Sequence, residues 1–113
     1  MEFHCKGLLF DNDGVLVDSH AAAVAAWAQW ASEFAPGFDW DQPGNAGRRA
    51  EDKVREQVAP ELFDVANDRI NQLEQDTAGE TVALGGAVAL LTSLPADVWT
   101  VCTSANPRLG RAR

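Results

Sequence analysis

Several features that would settle a protein's class are scarce or missing in this sequence. No run of about eighteen apolar residues is present, the length a helix needs to cross a bilayer. The N-terminal MEFHCKG lacks the apolar core of a signal peptide. A cytoplasmic protein with no membrane partner is therefore expected. Basic residues are few, nine Lys and Arg against seventeen Asp and Glu, for a formal charge of −8. Nucleic acids and anionic surfaces recruit positive fields, so no nucleic-acid partner is expected either. An anionic ligand would need a local arginine or a metal to overcome that charge. The two cysteines, Cys5 and Cys102, have no metal-ligand spacing, and each falls in a predicted strand as a small buried hydrophobe. His4 and His20 stand alone and suit surface or internally satisfied roles. There is no internal repeat and no low-complexity tract.

What remains is globular. A hydrophobic content of 46% over 113 residues predicts one small domain with one core. The most informative stretch is LLFDNDGVLVDS, residues 8–19, an apolar strand that stops at two carboxylates and a glycine. Extended backbone sends residues i and i+2 to the same side, so Asp11 and Asp13 face one spot beyond the strand end while Asn12 points away. Two carboxylates held together shift a pKa, bind a cation between them, or do both, and a hard divalent ion is the simplest resolution. Open α/β sheets place ligands at the carboxyl ends of their strands. Gly14 is expected to supply a backbone conformation that other residues resist.

Residues 6–10 read as a short buried strand. Asp18 or Ser19 suits the N-cap of a helix running to Phe34, with Val24, Trp27, Ala28, Ala31 and Phe34 on one stripe and Trp27 and Trp30 as packing anchors. Pro36 and Gly37 end it, and a breaker-rich loop follows to Gly47. A second helix is predicted over 49–59, apolar at Ala50, Val54 and Val58. A third, over 61–76, gathers Leu62, Val65, Ala66, Ile70 and Leu73 on a face. Residues 81–84 read as extended, 86–94 as a helix turning Val88, Leu91 and Leu94 inward, and 99–102 as a second buried strand. Thr103, Ser104, Ala105 and Asn106 follow it, and Pro107 suits the first position of a last helix.

The stretch FDNDGVLVDS resembles motif I of the haloacid dehalogenase superfamily, D-x-D-G-x-[LV]-x-D-S, and TVCTSAN resembles its motif II, an apolar strand ending in Ser or Thr. The helices between them resemble the cap that one subfamily inserts between these motifs. The resemblance thus implies an α/β fold, a partial Rossmann-like core of the first parallel strands with an inserted α-helical cap, divided as core 1–16 and 83–113 and cap 17–82. Within the superfamily, GRRAEDKVRE and WTVCTSANPRL are most similar to sugar-phosphate and polyol-phosphate phosphatases. By that alignment Arg49 matches a cap arginine, with Arg48 able to compete for its role. Departures include Ala46 where a loop histidine often stands, Ala50 for a hydroxyl residue, Gly85 for a proline, and Ala105-Asn106 for Gly-Thr.

The resemblance implies a magnesium-dependent phosphomonoester hydrolase. Asp11 would be metal ligand and nucleophile, forming an aspartyl-phosphate. Asp13 would carry protons at its side chain and hold Mg2+ through its backbone carbonyl. Thr103 and Ser104 would hydrogen-bond phosphoryl oxygens, and Arg49 would contact the small-molecule phosphomonoester. Asp13 disfavours carbon–halogen cleavage, whose enzymes lack the second acid, and Ala50 stands where phosphomutases carry an arginine. The family's motif III lysine and motif IV acidic pair would follow motif II and are not found. A product truncated after motif II, inactive alone and open to a complementary C-terminal fragment, is therefore expected. The alternatives are a non-catalytic interaction module and a phosphomutase of the same superfamily.

Overall fold

The computed structural model describes residues 1–113. In chain order its elements are β1 (Leu8–Phe10), β2 (Val17–Asp18), α1 (His20–Phe34), α2 (Ala50–Gln57), α3 (Phe63–Thr77), β3 (Val82–Ala83), α4 (Ala87–Ser93), β4 (Trp99–Val101) and α5 (Pro107–Ala112). Single 3-10 turns lie at Pro60–Leu62 and Ala78–Glu80. β1 and β4 pair in parallel, with Leu8 opposite Trp99 and Phe10 opposite Val101. β2 and β3 pair antiparallel, Val17 opposite Ala83, and close the base of the helical insertion. This is the expected α/β arrangement, a short parallel sheet interrupted by helices.

The helices hold the core. α1 is alanine-rich, which favours helix and lets a partner approach closely. It presents Ala26, Trp27, Trp30 and Ala31 to Val54 of α2 and to Ala66, Ile70 and Leu73 of α3. Trp30 is 0% exposed. Both indoles have a polar partner, as buried tryptophans require: Trp30 Nε1 donates to the Ala66 carbonyl at 2.9 Å and Trp27 Nε1 to Glu74 Oε1 at 3.1 Å. The anchoring role expected for both is what they perform. On α3, Ala66, Ile70 and Leu73 face inward as expected, but Leu62 and Val65 are exposed. Pro60 starts a 3-10 turn at three residues per turn, which puts Leu62 out of phase with the helix that begins at Phe63.

The sheet departs further from expectation. Neither strand is buried: Leu9 is 76% exposed, and β1 and β4 contribute no fully buried side chain. Continuously apolar runs such as LLF and WTV imply cover on both faces, and a pair of strands flanked by this chain's helices lacks it. Cys5 and Cys102 lie outside the strands and are exposed, contrary to the expected burial. Val88 of α4 is exposed as well, whereas Leu91 and Leu94 are half-buried.

Candidate active site

Parallel pairing with Phe10 opposite Val101 brings the carboxyl ends of β1 and β4 to the same level. Asp11 and Thr103 follow those ends within three residues of each other's register. The loop after β1 is fixed by its own backbone. The Asn12 carbonyl accepts from the amides of Val15, Leu16 and Val17 at 3.2, 2.9 and 3.1 Å, and Gly14 donates to the Val17 carbonyl at 2.8 Å. Gly14 sits at φ 78°, a left-handed conformation that a side chain would strain. Asn12 is thereby buried, while Asp11 and Asp13 line a cleft of about 650 Å³. The expected division of the three side chains holds.

All five residues picked out in the sequence line this cleft: Asp11, Asp13, Thr103, Ser104 and Arg49. Asp11 Oδ1 accepts from the Asn12 amide at 2.8 Å. Asp13 Oδ1 accepts from Ser19 Oγ at 2.6 Å and from Arg113 Nη1 at 3.0 Å. Ser19 occupies the N-cap position of α1 yet makes no side-chain cap bond, because the Asp13 carboxylate is the stronger acceptor for its hydroxyl. Asp18 serves the helix start instead, accepting from the His20 amide at 3.3 Å. Thr103 Oγ1 accepts from the Ala105 amide at 3.2 Å, and Asn106 caps α5 by accepting from the Leu109 amide at 2.9 Å.

The two cap arginines differ. Arg48 is committed to Glu56, which it grips with both guanidinium nitrogens, and the pairing holds the Glu56 carboxyl below its ordinary range. Arg49 has a side chain 70% exposed and reaches only Glu51, at 3.9 Å. It is the freer of the pair to meet a ligand.

Sequence reasoning missed the other wall of the cleft. Lys53 of α2 and Glu74 of α3 line it although both are buried, 4% and 7% exposed. Lys53 Nζ stands 4.6 Å from the Trp27 ring centre and 5.3 Å from that of Trp40, a cation–π stack. Burial pushes its pKa down to about 8; Glu74 pulls upward, while Arg48 and Arg113 push further down. Burial raises Glu74, against the attraction of Arg113, the Trp27 indole and Lys53. Arg113 Nη2 lies 4.0 Å from Glu74 Oε1, so this arginine joins the cap wall to Asp13. A usable signal existed: Ala50, Lys53, Val54 and Ile70, Leu73, Glu74 each follow i, i+3, i+4 spacing, which puts the charged residue on the inward stripe.

No group of three or more His, Cys, Asp or Glu gathers around a common point. The donors at the strand end are oxygen only, the carboxylates of Asp11 and Asp13, with the Asp13 carbonyl taking no backbone hydrogen bond. Such a set suits a hard cation that keeps most of its water and binds through one or two carboxylates, the habit of magnesium.

The chain is similar to known phosphatases. The chain is 35% identical over 114 residues to hexitol phosphatase A of Escherichia coli, covering 96% of the chain and 53% of that protein. It is 33% identical over 124 residues to 2-deoxyglucose-6-phosphate phosphatase 1 of Saccharomyces cerevisiae, covering 96% and 49%. These likenesses support a sugar-phosphate-phosphatase-like protein of the haloacid dehalogenase type. Its fold superposes on a hydrolase from Pseudomonas syringae with a TM-score of 0.78 at 26% identity, over 96% of the chain and 53% of that structure. A structure from Lactobacillus plantarum superposes with a TM-score of 0.75 over 95% and 53%, and at 19% identity that likeness carries the fold alone. No family model matches the chain. The chain spans about half the length of the curated relatives it matches.

Proposed function

We propose that the chain carries the nucleophile half of a magnesium-dependent phosphomonoester hydrolase acting on a small sugar or polyol phosphate. The observation that carries this reading is the parallel register of β1 and β4, which puts Asp11, Asp13, Thr103 and Ser104 into one cleft roofed by the helices. The relatives named for hexitol and deoxyglucose phosphates supply the substrate class.

An Asp11 oxygen attacks phosphorus in line, the ester P–O bond breaks, and an aspartyl-phosphate forms. Asp13 gives a proton to the leaving alkoxide and later takes one from the water that hydrolyses the acyl phosphate. Its Oδ1 is held by Ser19 and Arg113, which leaves Oδ2 for the proton. The Thr103 hydroxyl and Ser104 amide donate to phosphoryl oxygens where charge concentrates. Asp11 and the Asp13 backbone carbonyl would hold magnesium, whose charge would offset the repulsion between carboxylate and phosphate. Arg49, exposed at the mouth, meets the substrate. The division into a core of 1–16 and 83–113 and a cap of 17–82 belongs to the same reading, with β2 and β3 as the two crossings.

On this reading the 113-residue chain alone turns over slowly or not at all, since two carboxylates are all the acidic ligands gathered at the strand end. The open face of β1 and β4 supports a partner that completes the sheet, a complementary C-terminal fragment. The test is to incubate the purified chain with magnesium and a hexitol phosphate and to follow both phosphate release and intact mass. One added phosphoryl group on the chain, lost in Asp11→Asn, is expected, with little release. Sustained release abolished by Asp11→Asn would overturn the inactivity, and a mass gain that survives Asp11→Asn would overturn the assignment of the nucleophile.

A further inference from the structure

The cap wall of the cleft carries polar groups that nothing in the protein satisfies. Lys53 is 4% exposed, and its ammonium makes no hydrogen bond or ion pair; its neighbours are the faces of Trp27 and Trp40. Asn67 Oδ1 and Trp40 Nε1 are buried without partners. Asn67, Asn71 and Glu74 recur at helical spacing along one side of α3, all lining the cleft. Leaving buried polar groups unpaired costs more than their pairing returns, so such a cluster facing a cavity implies a ligand that completes it.

The mixture of signs and roles narrows the ligand. Lys53 Nζ and Trp40 Nε1 donate, Asn67 Oδ1 and the Glu74 carboxylate accept, and the Trp40 ring lies under Lys53 Nζ. A second anionic group would meet Lys53 but be repelled by Glu74. Hydroxyl groups both donate and accept, so a polyhydroxylated chain or ring can satisfy Lys53, Trp40 and Asn67 and donate to Glu74 Oε2, whose fellow oxygen is already held by the Trp27 indole. We propose that Lys53 and Glu74, with Asn67 and Trp40, form the subsite that binds the hydroxylated portion of a phosphomonoester and selects hexitol-type substrates over bare phosphate. The inference rests on the reading of Asp11 and Thr103 as the phosphate end of the same cleft.

The test is calorimetric titration of the 113-residue chain, without magnesium so that Asp11 is not phosphorylated, by sorbitol 6-phosphate and separately by inorganic phosphate. Two variants accompany it. Lys53→Met keeps the length and apolar stem, and Glu74→Gln keeps an oxygen acceptor for the Trp27 indole, with circular dichroism checking the fold of each. The wild-type chain is expected to bind sorbitol 6-phosphate about tenfold more tightly than phosphate, the worth of about one hydrogen bond to a charged group. Each variant should close that gap. Equal affinity for both ligands in the wild type overturns the subsite and leaves the phosphate end standing. An equal loss for both ligands in Lys53→Met makes Lys53 a general cation for phosphate and also overturns it. Failure of the wild type to bind either ligand overturns the phosphate reading and the subsite with it.

Discussion

Arg113 Nη1 donates to Asp13 Oδ1 at 3.0 Å while its Nη2 stands 4.0 Å from Glu74 Oε1, with the guanidinium side chain only 6% exposed. One cation therefore links the carboxylate at the end of the first strand to the carboxylate in the helical wall. Burial of a charged group in this way is tolerable only because both neighbours are acidic. The site's charges are coupled across the cleft, and a change at one side is felt at the other.

That coupling predicts the behaviour of Glu74 when the link is cut. Burial raises the Glu74 carboxyl and Arg113 is the largest influence opposing it. In Arg113→Met the largest opposing influence is gone while Trp27 and Lys53 remain, and the Glu74 titration moves to higher pH, read by carboxyl-carbon NMR. An unmoved Glu74 would mean that the arginine does not dwell between the two acids in solution.

Trp30 should dominate the stability of the helical unit. It is 0% exposed, stacks on Phe34 with ring centres 5.7 Å apart, and meets Trp27 edge-on at 5.3 Å. Trp30→Ala removes those contacts and leaves a cavity, at a cost of about 3–5 kcal/mol. Trp30→Phe retains most of the volume but loses the bond to the Ala66 carbonyl, at about 1 kcal/mol. Urea unfolding followed by circular dichroism separates the two; near-equal losses would place the stability in the hydrogen bond instead of the packing.

Much of this was legible in the sequence because periodicity and motif spacing are local. Gly14, the Asp11–Asp13 alternation, the Trp27–Trp30 anchors and the Pro107 helix start each follow from a few neighbouring residues, and the structure has them so. Burial of the strands was misread because LLF and WTV report what a strand is suited to, and whether anything lies over it is a tertiary fact. Lys53, Glu74 and Arg113 escaped for a related reason. A charged side chain is assumed to be solvated, and only the packing of α1 against α2 and α3 reveals that these are not. Asp18 and Ser19 both suit the start of α1 by position; Asp18 accepts from the His20 amide there, whereas the Asp13 carboxylate claims the Ser19 hydroxyl.

The exposure of the sheet has its own consequence. Leu9 at 76% and Val101 at 40% exposed, on strands with unpaired edges, invite association with other chains. Leu9→Lys is expected to change folding stability by less than about 0.5 kcal/mol, as for other exposed sites. It should also lower binding of a hydrophobic dye and raise the concentration at which the chain stays monomeric, read by light scattering. A large loss of stability would show that Leu9 is covered in solution.

The buried charges give the chain a dependence on pH that can be worked out by sign. Lys53 titrates at about 8 in the folded protein against an ordinary value of 10.5, because burial disfavours its charged form. Between those values the unfolded chain holds the proton and the folded chain does not, so stability rises with pH through that window and is flat with respect to Lys53 below it. Glu74 acts in the opposite sense. Its folded pKa is raised above 4.5, so from there up to its folded value the folded chain holds the extra proton, and stability falls as pH rises. Stability should therefore decline as pH rises above 4.5 through the Glu74 titration, and climb between pH 8 and 10.5 through that of Lys53. Lys53→Met should abolish the alkaline recovery, worth about 3 kcal/mol by the size of the shift, and Glu74→Gln the acid-side decline. Urea midpoints measured across this range decide it, and a Lys53→Met profile that still climbs above pH 8 would show that the ammonium is solvated.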